Sequence, residues 1–382
     1  MSTNLTSVIG LIASQSTTPF NPGFDISAVA ALAHSLPSHS WEYGTAAEAF
    51  LELDSAVLSV FGSEPFPVLS VPPAWVAPLS YAEANIELGL DGLDDGSGAV
   101  GDPASLGVAA VMLGKTNNTY ATAAQSEIDY LLNKAPRWSN GAISHRDDVP
   151  ELWADFMYMA PPFIAYFAAD SLNSSLLFTA YEQCLLYRQV LLFNSNSTTP
   201  SHGADPGLWS TGNGWAAAGM ARVLASIIKA PVSNGTPWRA SAIANLTAWI
   251  KEIIDGARKA PMDGGLLRNY LNDMSTDGHG FGEISGSALL ASVAYRMVVM
   301  TPKDFPPATY VSFADGIRRT LGGKDAQGNP HITQNGTATP AVNPYGWLDT
   351  EPYTAGSPEG NNFVVLMYAA WRDCVSVGVC SA

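Results

Sequence analysis

Trp215-Ala-Ala-Ala-Gly-Met-Ala-Arg-Val-Leu-Ala-Ser-Ile-Ile-Lys-Ala230 reads as a helix that other helices approach closely. Its apolar residues recur at helical spacing, and Ala216, Ala217, Ala218, Gly219 and Ala221 keep one surface small, as a tightly packed inner ring requires. The same period recurs in residues 45–60, 105–114, 120–133, 179–193, 238–257, 285–299 and 361–373, while strand-like alternation is nearly absent. The connecting stretches, such as 91–103, 194–213 and 322–360, are long and rich in Gly, Pro, Asn, Asp and aromatics. Loops of that length tend to carry function. Helices in this number suit either a solenoid or a closed ring of hairpins, and no fixed-period repeat marks a solenoid. The expected fold is all-α, an (α/α)6 toroid. No linker-like tract divides the chain, so one domain over residues 1–382 is expected.

Composition bounds the partners. The 382 residues are 47% hydrophobic and 14% charged, ample for a large core. A formal charge of −16 without a basic stripe excludes nucleic acid and disfavours anionic membranes. No apolar run approaches the ~20 residues of a membrane helix. The apolar stretch 7–13 lacks a basic flank and is short for a leader, so a leader is expected to be absent or already removed. Asn-x-Ser/Thr sequons stand at Asn4, Asn117, Asn173, Asn196, Asn234, Asn245 and Asn335, which predicts a secreted, extracellular glycoprotein. Cys374 and Cys380 are close enough in sequence to close a small loop under oxidising conditions, and Cys184 reads as a buried thiol. No Cys/His spacing suggests a metal, and no metal or cofactor is expected.

Several segments combine carboxylates and aromatics with Gly or Pro breakers. They are WEYG with Trp41 and Tyr43, DGLDDGSGAVGDP with Asp91, Asp94, Asp95 and Asp102, and SHRDDVPELWADFMYMAPP with His145, Trp153 and Asp155. A fourth, SHGADPGLWSTGNGW, holds His202, Asp205, Trp209, Asn213 and Trp215. Aromatic faces and carboxylates are what a sugar site needs. Asp155 lies in an apolar run, 152–169, where burial would raise its pKa and suit it to act as a general acid. The plainer reading makes it a helix cap or a paired core group. Asp102, before Pro103 and an apolar helix, equally reads as an ordinary helix-start carboxylate. The histidines could be loop residues, and the tryptophans could be core.

Together these segments resemble the unsaturated uronyl hydrolases of glycoside hydrolase families 88 and 105, especially the unsaturated rhamnogalacturonyl hydrolases. The resemblance runs from WEYG at Trp41 to SPEGNNFVVLMYAAW ending at Trp371, and is most specific between Asp102 and Ala169. It implies that Asp155 is the general acid/base, with Asp102 as its partner. It further implies that Trp41, Tyr43, His145, Trp153, His202, Thr211, Asn213 and Trp215 line the sugar subsites. Such enzymes protonate C4 of a C4=C5 double bond left by a polysaccharide lyase. Water then adds at C5, and the product opens to expel the aglycone.

The chain departs from the family at one point. It reads WSTGNGW where family 105 members commonly read WARGNGW, so Thr211 stands where a cation would meet the substrate carboxylate. Arg137, Arg146 and Arg268 are the candidate replacements. The expected partner is an oligosaccharide with a uronic acid at its non-reducing end. An exo-acting glycosidase on saturated glucuronides and a non-catalytic glycan-binding toroid fit the same residues.

Overall fold

The computed structural model describes residues 20–90, 92–192, 205, 207–275, 278–346 and 349–382. Asp91 and His202 lie outside them. The described residues form thirteen α-helices: α1 (Ile26–Ser35), α2 (Ser40–Asp54), α3 (Ala77–Asn85), α4 (Gly101–Ala104), α5 (Gly107–Gly114), α6 (Asn118–Asn133), α7 (Phe156–Asp170), α8 (Ser174–Leu191), α9 (Ser210–Lys229), α10 (Arg239–Lys259), α11 (Ile284–Met300), α12 (Pro307–Leu321) and α13 (Pro358–Ser376). A two-residue antiparallel pair, β1 (Glu87–Leu88) and β2 (Leu93–Asp94), is the described sheet.

The helices alternate between two layers. An inner ring runs through α2, the short pair α4 and α5, α7, α9, α11 and α13, and closes where α13 packs on α2. Each inner element is backed by an outer helix: α3 on α2, α6 on α5, α8 on α7, α10 on α9, α12 on α11, and α1 on α13. This is the (α/α)6 toroid that the sequence predicts. Burial follows the layering, for α9 and α11 are buried on nearly all sides. Outer α10 instead buries one stripe, Ala242, Leu246, Thr247, Ile250, Ile254 and Ala257.

The small-residue surface of α9 does what its sequence suggests. A Cβ built on Gly219 would fall 1.8 Å from the Met157 carbonyl oxygen of α7, so only glycine fits this crossing. Pro161 has no N–H to offer that carbonyl, and Pro161 and Pro162 both lie inside α7. Deeper in the ring a buried network ties five inner helices together. Arg222 of α9 donates to Glu48 at 2.8 Å and to the Tyr158 hydroxyl at 2.9 Å, and also bonds Glu52. Arg296 of α11 donates to Glu52 at 2.6 Å and to Asp373 of α13 at 2.6 Å. Cys374 and Cys380 are joined in a disulfide, and Cys184 is a buried free thiol.

Candidate active site

Because each hairpin returns the chain to the same side, the N-termini of the inner helices meet at one end of the ring. Trp41 and Glu42 lie in the first turn of α2, Asp102 in α4, and Asp155 at the N-cap of α7. Ser210 and Thr211 open α9, Glu283 caps α11, and Glu359 lies in the first turn of α13. Helix N-termini favour negative charge, yet desolvation outweighs that preference here.

Asp155 occupies a cap position without capping. Its backbone is helical, its side chain makes no cap hydrogen bond, and its buried Oδ1 has no protein partner. Burial pushes its carboxyl up to about 6. Asp102 is pushed up to about 8, first by burial and then by the charges of Asp95 and Asp155. Its Oδ1 stands 3.6 Å from Nε2 of His145. The imidazole is pushed down to about 3 by burial and by Arg146, so the contact joins a neutral acid to a neutral ring near neutrality. Gly101 leaves room for that ring, since a Cβ there would fall 2.8 Å from His145 Nδ1.

Two aromatic groupings border these acids. Trp153 stacks on His145 at 5.3 Å and is 38% exposed. Trp41 donates from Nε1 to Glu359 Oε1 at 3.3 Å. Glu359 is buried, and its carboxyl is held well above the ordinary range by burial and then by the charges of Asp155 and Glu42. Glu42 accepts from the backbone N–H groups of Ser38 at 2.7 Å and His39 at 3.1 Å. Glu283 accepts from Ser210 Oγ at 2.8 Å and from the N–H of Gly286 at 2.7 Å.

The structure thus gathers Trp41, Asp102, His145, Trp153 and Asp155, and it adds Glu42, Glu283 and Glu359, which sequence reasoning passed over. Of four other expected subsite residues, Tyr43 and Asn213 are half-buried with protein partners, and Thr211 and Trp215 are buried. Tyr43, two residues beyond Trp41 on α2, packs against Tyr81 of α3. Thr211 has no exposed surface and reaches Glu283 at 3.5 Å, so it lies behind the rim. Asn213 donates to the Trp209 carbonyl at 2.8 Å. Trp215 is fully buried between Tyr158 and Phe363, one turn below the rim.

The candidate cations separate by geometry. Arg137 donates to the carbonyls of Leu131, Leu132 and Gly141, and Arg268 to that of Gly280. Arg146 donates to the Ser97 carbonyl at 3.5 Å, and its charge bears on both Asp102 and His145. Among the described residues no group of three or more His, Cys, Asp or Glu side chains could hold a metal ion. No helix among them is long and apolar enough to cross a membrane.

Residues 109–296, just under half of the chain, match the family model described as Glycosyl Hydrolase Family 88. The match contains His145, Trp153, Asp155 and Glu283, and Trp41, Asp102 and Glu359 fall outside it. Over most of its length the chain is similar to the structure of a possible GH105 member from Salmonella enterica serovar Paratyphi A. The identity is 15%, over 97% of this chain and 94% of that one, with a TM-score of 0.63. It is similar also to the unsaturated glucuronyl hydrolase of Bacillus sp. GL1, at 13% identity over 90% and 94%, TM-score 0.58. A polysaccharide lyase shares the fold at 14% identity over 94% and 100%, TM-score 0.65. At such identities the likeness is one of fold. No curated protein sequence matches the chain. The fold and the family match define the class, a glycoside hydrolase of the six-hairpin kind. Within that class the resemblance to families 88 and 105 stands.

Proposed function

We propose that this protein removes a terminal 4,5-unsaturated uronic acid from oligosaccharides made by a polysaccharide lyase. The observation that carries this reading is Asp155: a half-buried residue at a helix start, uncommitted to capping, whose Oδ1 is buried without a partner and whose carboxyl is pushed up to about 6. Such a group is protonated in mildly acidic medium and can act as a general acid.

In the proposed reaction Asp155 gives its proton to C4 as the C4=C5 bond opens. Positive charge then develops at C5 and the ring oxygen. Water adds at C5 and returns a proton to the Asp155 carboxylate. The resulting hemiketal opens to a 5-keto uronate, and the anomeric carbon releases the aglycone as an alcohol. One water is consumed and Asp155 is regenerated. Asp102, kept neutral beside His145, offers a hydrogen-bond donor to the sugar without repelling its carboxylate. Arg146 supplies the charge-assisted contact to that carboxylate in the absence of a cation at position 211.

A saturated glucuronide would require one acid and one ionised carboxylate flanking the bond. Asp102 and Asp155 are both neutral below about pH 6, a state that suits hydration, which needs one acid. Turnover in deuterium oxide tests the route. Hydration places one solvent deuteron at C4 of the released uronate, and direct displacement at the anomeric carbon places none.

The place of action in this reading is extracellular. The Cys374–Cys380 disulfide and the exposed sequons at Asn117, Asn173, Asn234 and Asn335 support it.

A further inference from the structure

The acid cluster holds one member that neither the fold nor the chemistry at Asp155 uses. Glu42 commits one oxygen to the N–H groups of Ser38 and His39 at the start of α2 and the other to the Tyr345 hydroxyl. Glu283 commits both oxygens as well, to Ser210 and to the N–H groups of Ser285 and Gly286 that open α11. Glu359 caps nothing, for the Gly360 N–H in its own turn donates to Ser357 Oγ at 3.1 Å. Among the described residues its one hydrogen bond comes from Trp41 Nε1 to Oε1 at 3.3 Å. The residue is buried, and its Oε2 is left without a protein partner. A buried acid that ties down no backbone is costly unless something else uses it.

Position and surroundings define what that oxygen offers. In the ring of six inner elements α7 is third from α2 and α13 is sixth, so Asp155 and Glu359 stand on opposite sides of the mouth. No Lys, Arg or His forms an ion pair with Glu359 among the described residues. His39, the base beside it at the start of α2, lies 3.5 Å from Glu42, and Arg146 acts on Asp102 and His145. The charges that reach Glu359 belong to Asp155, Glu42 and Glu283, and together with burial they keep its proton in place. The free corner of the carboxyl is then an O–H, a hydrogen-bond donor aimed across the mouth from Asp155.

We propose that Glu359 is a substrate-binding residue that donates a hydrogen bond to an oxygen of the unsaturated uronate from the side opposite Asp155, and so holds the sugar against the proton donor. The proposal rests on the hydrolytic reading above and adds to it a contact that Asp102 and Arg146 do not provide.

The test is steady-state kinetics on an unsaturated uronoside with Glu359→Ala, Glu359→Gln, Trp41→Phe and the double variant Trp41→Phe, Glu359→Ala, each checked for folding by circular dichroism. Glu359→Ala should raise KM by about tenfold or more, the size of a hydrogen bond lost from a buried site, with a smaller change in kcat. Where Ala does not fold, Glu359→Met fills the volume without a donor and should show the same loss. Gln keeps a carbonyl for Trp41 and places an N–H where the O–H stood, so Glu359→Gln should recover most of that loss. If Glu359 served only to hold the indole, removing it from Trp41→Phe would cost nothing further; the double variant should instead bind more weakly than Trp41→Phe alone. An unchanged KM in a folded Ala or Met variant, a loss in Glu359→Gln as large as theirs, or no added loss in the double variant would overturn the proposal. Failure of the wild type to turn over any unsaturated uronoside would instead refute the hydrolytic reading beneath it.

Discussion

Asp102 Oδ1 lies 3.6 Å from Nε2 of His145, and burial leaves both partners uncharged near neutrality. An acid beside a histidine ordinarily reads as an ion pair. Here the pocket is dry enough to remove both charges, and the same dryness raises Asp155 and Glu359. The site crowds acids at the starts of α2, α4, α7, α11 and α13, and burial raises Asp102, Asp155, Glu283 and Glu359; most of its expected behaviour follows from that.

Stability should carry the signature of Asp155. Its folded-state pKa is raised from 3.8 to about 6, so the folded chain binds this proton more tightly than the unfolded chain does. The contribution to stability is then lost as pH rises from about 4 to about 6, by about 3 kcal/mol. Asp155→Asn should be the more stable protein in urea at neutral pH and equal to wild type below about pH 4. Equal midpoints at neutral pH would show that the carboxyl is not desolvated.

Arg146 is the cation assigned to the substrate carboxylate. Arg146→Gln should raise KM on unsaturated uronosides by about tenfold or more, the size of a lost charge-assisted bond, with little change in the melting temperature. Arg137→Gln gives the contrast, because that guanidinium holds three backbone carbonyls: it should lower stability and leave KM largely alone.

Gly219 sets the distance between α9 and α7. Gly219→Ala would drive a methyl into the Met157 carbonyl, so the fold should lose about 1–3 kcal/mol, read as an earlier thermal transition. A neutral effect would mean that the two helices can part without cost.

Glycan occupancy should follow the geometry of the amide. Asn117 and Asn173 use Oδ1 to cap helices and Asn335 uses it within its turn, which leaves Nδ2 open, while Asn234 is exposed. Asn245 donates its Nδ2 to the Tyr181 hydroxyl at 2.7 Å. Peptide mass mapping of protein from a glycosylating host should find sugar at the first four and none at Asn245.

The toroid was legible because its evidence is local. Periodic segments such as 215–230 and 285–299 coincide with α9, to within its C-cap Ala230, and with α11, where the residue spacing alone reports the helix. Five helices, α1, α3, α4, α7 and α12, lie outside the periodic segments, and two of them escaped for identifiable reasons. The Pro161-Pro162 pair breaks the sequence signal of α7, although tertiary packing keeps the helix whole. In α12 the apolar stripe is interrupted by Arg318, whose guanidinium lies buried over the Trp371 ring at 4.1 Å. Of the site, Asp102, His145, Trp153 and Asp155 could be found because they share one short region with an apolar run. Glu42, Glu283 and Glu359 could not, because an acid in a first turn or at a cap reads as a partner of the helix dipole. Their convergence exists only once α13 closes on α2. Thr211 and Trp215 were expected in the subsites by resemblance to their motif, and the close packing of α9 draws both behind the rim.

The central claim is that Asp155 protonates C4 of an unsaturated uronate. Its most direct test is the loss of ultraviolet absorbance of the conjugated C4=C5 bond when wild-type and Asp155→Asn proteins meet lyase digests of several polyuronides. The wild type should bleach at least one digest, with a rate that declines above about pH 6, and the variant should be slower by about a hundredfold or more. Bleaching by a folded Asp155→Asn protein at the wild-type rate, or none by the wild type on any digest, would contradict the account.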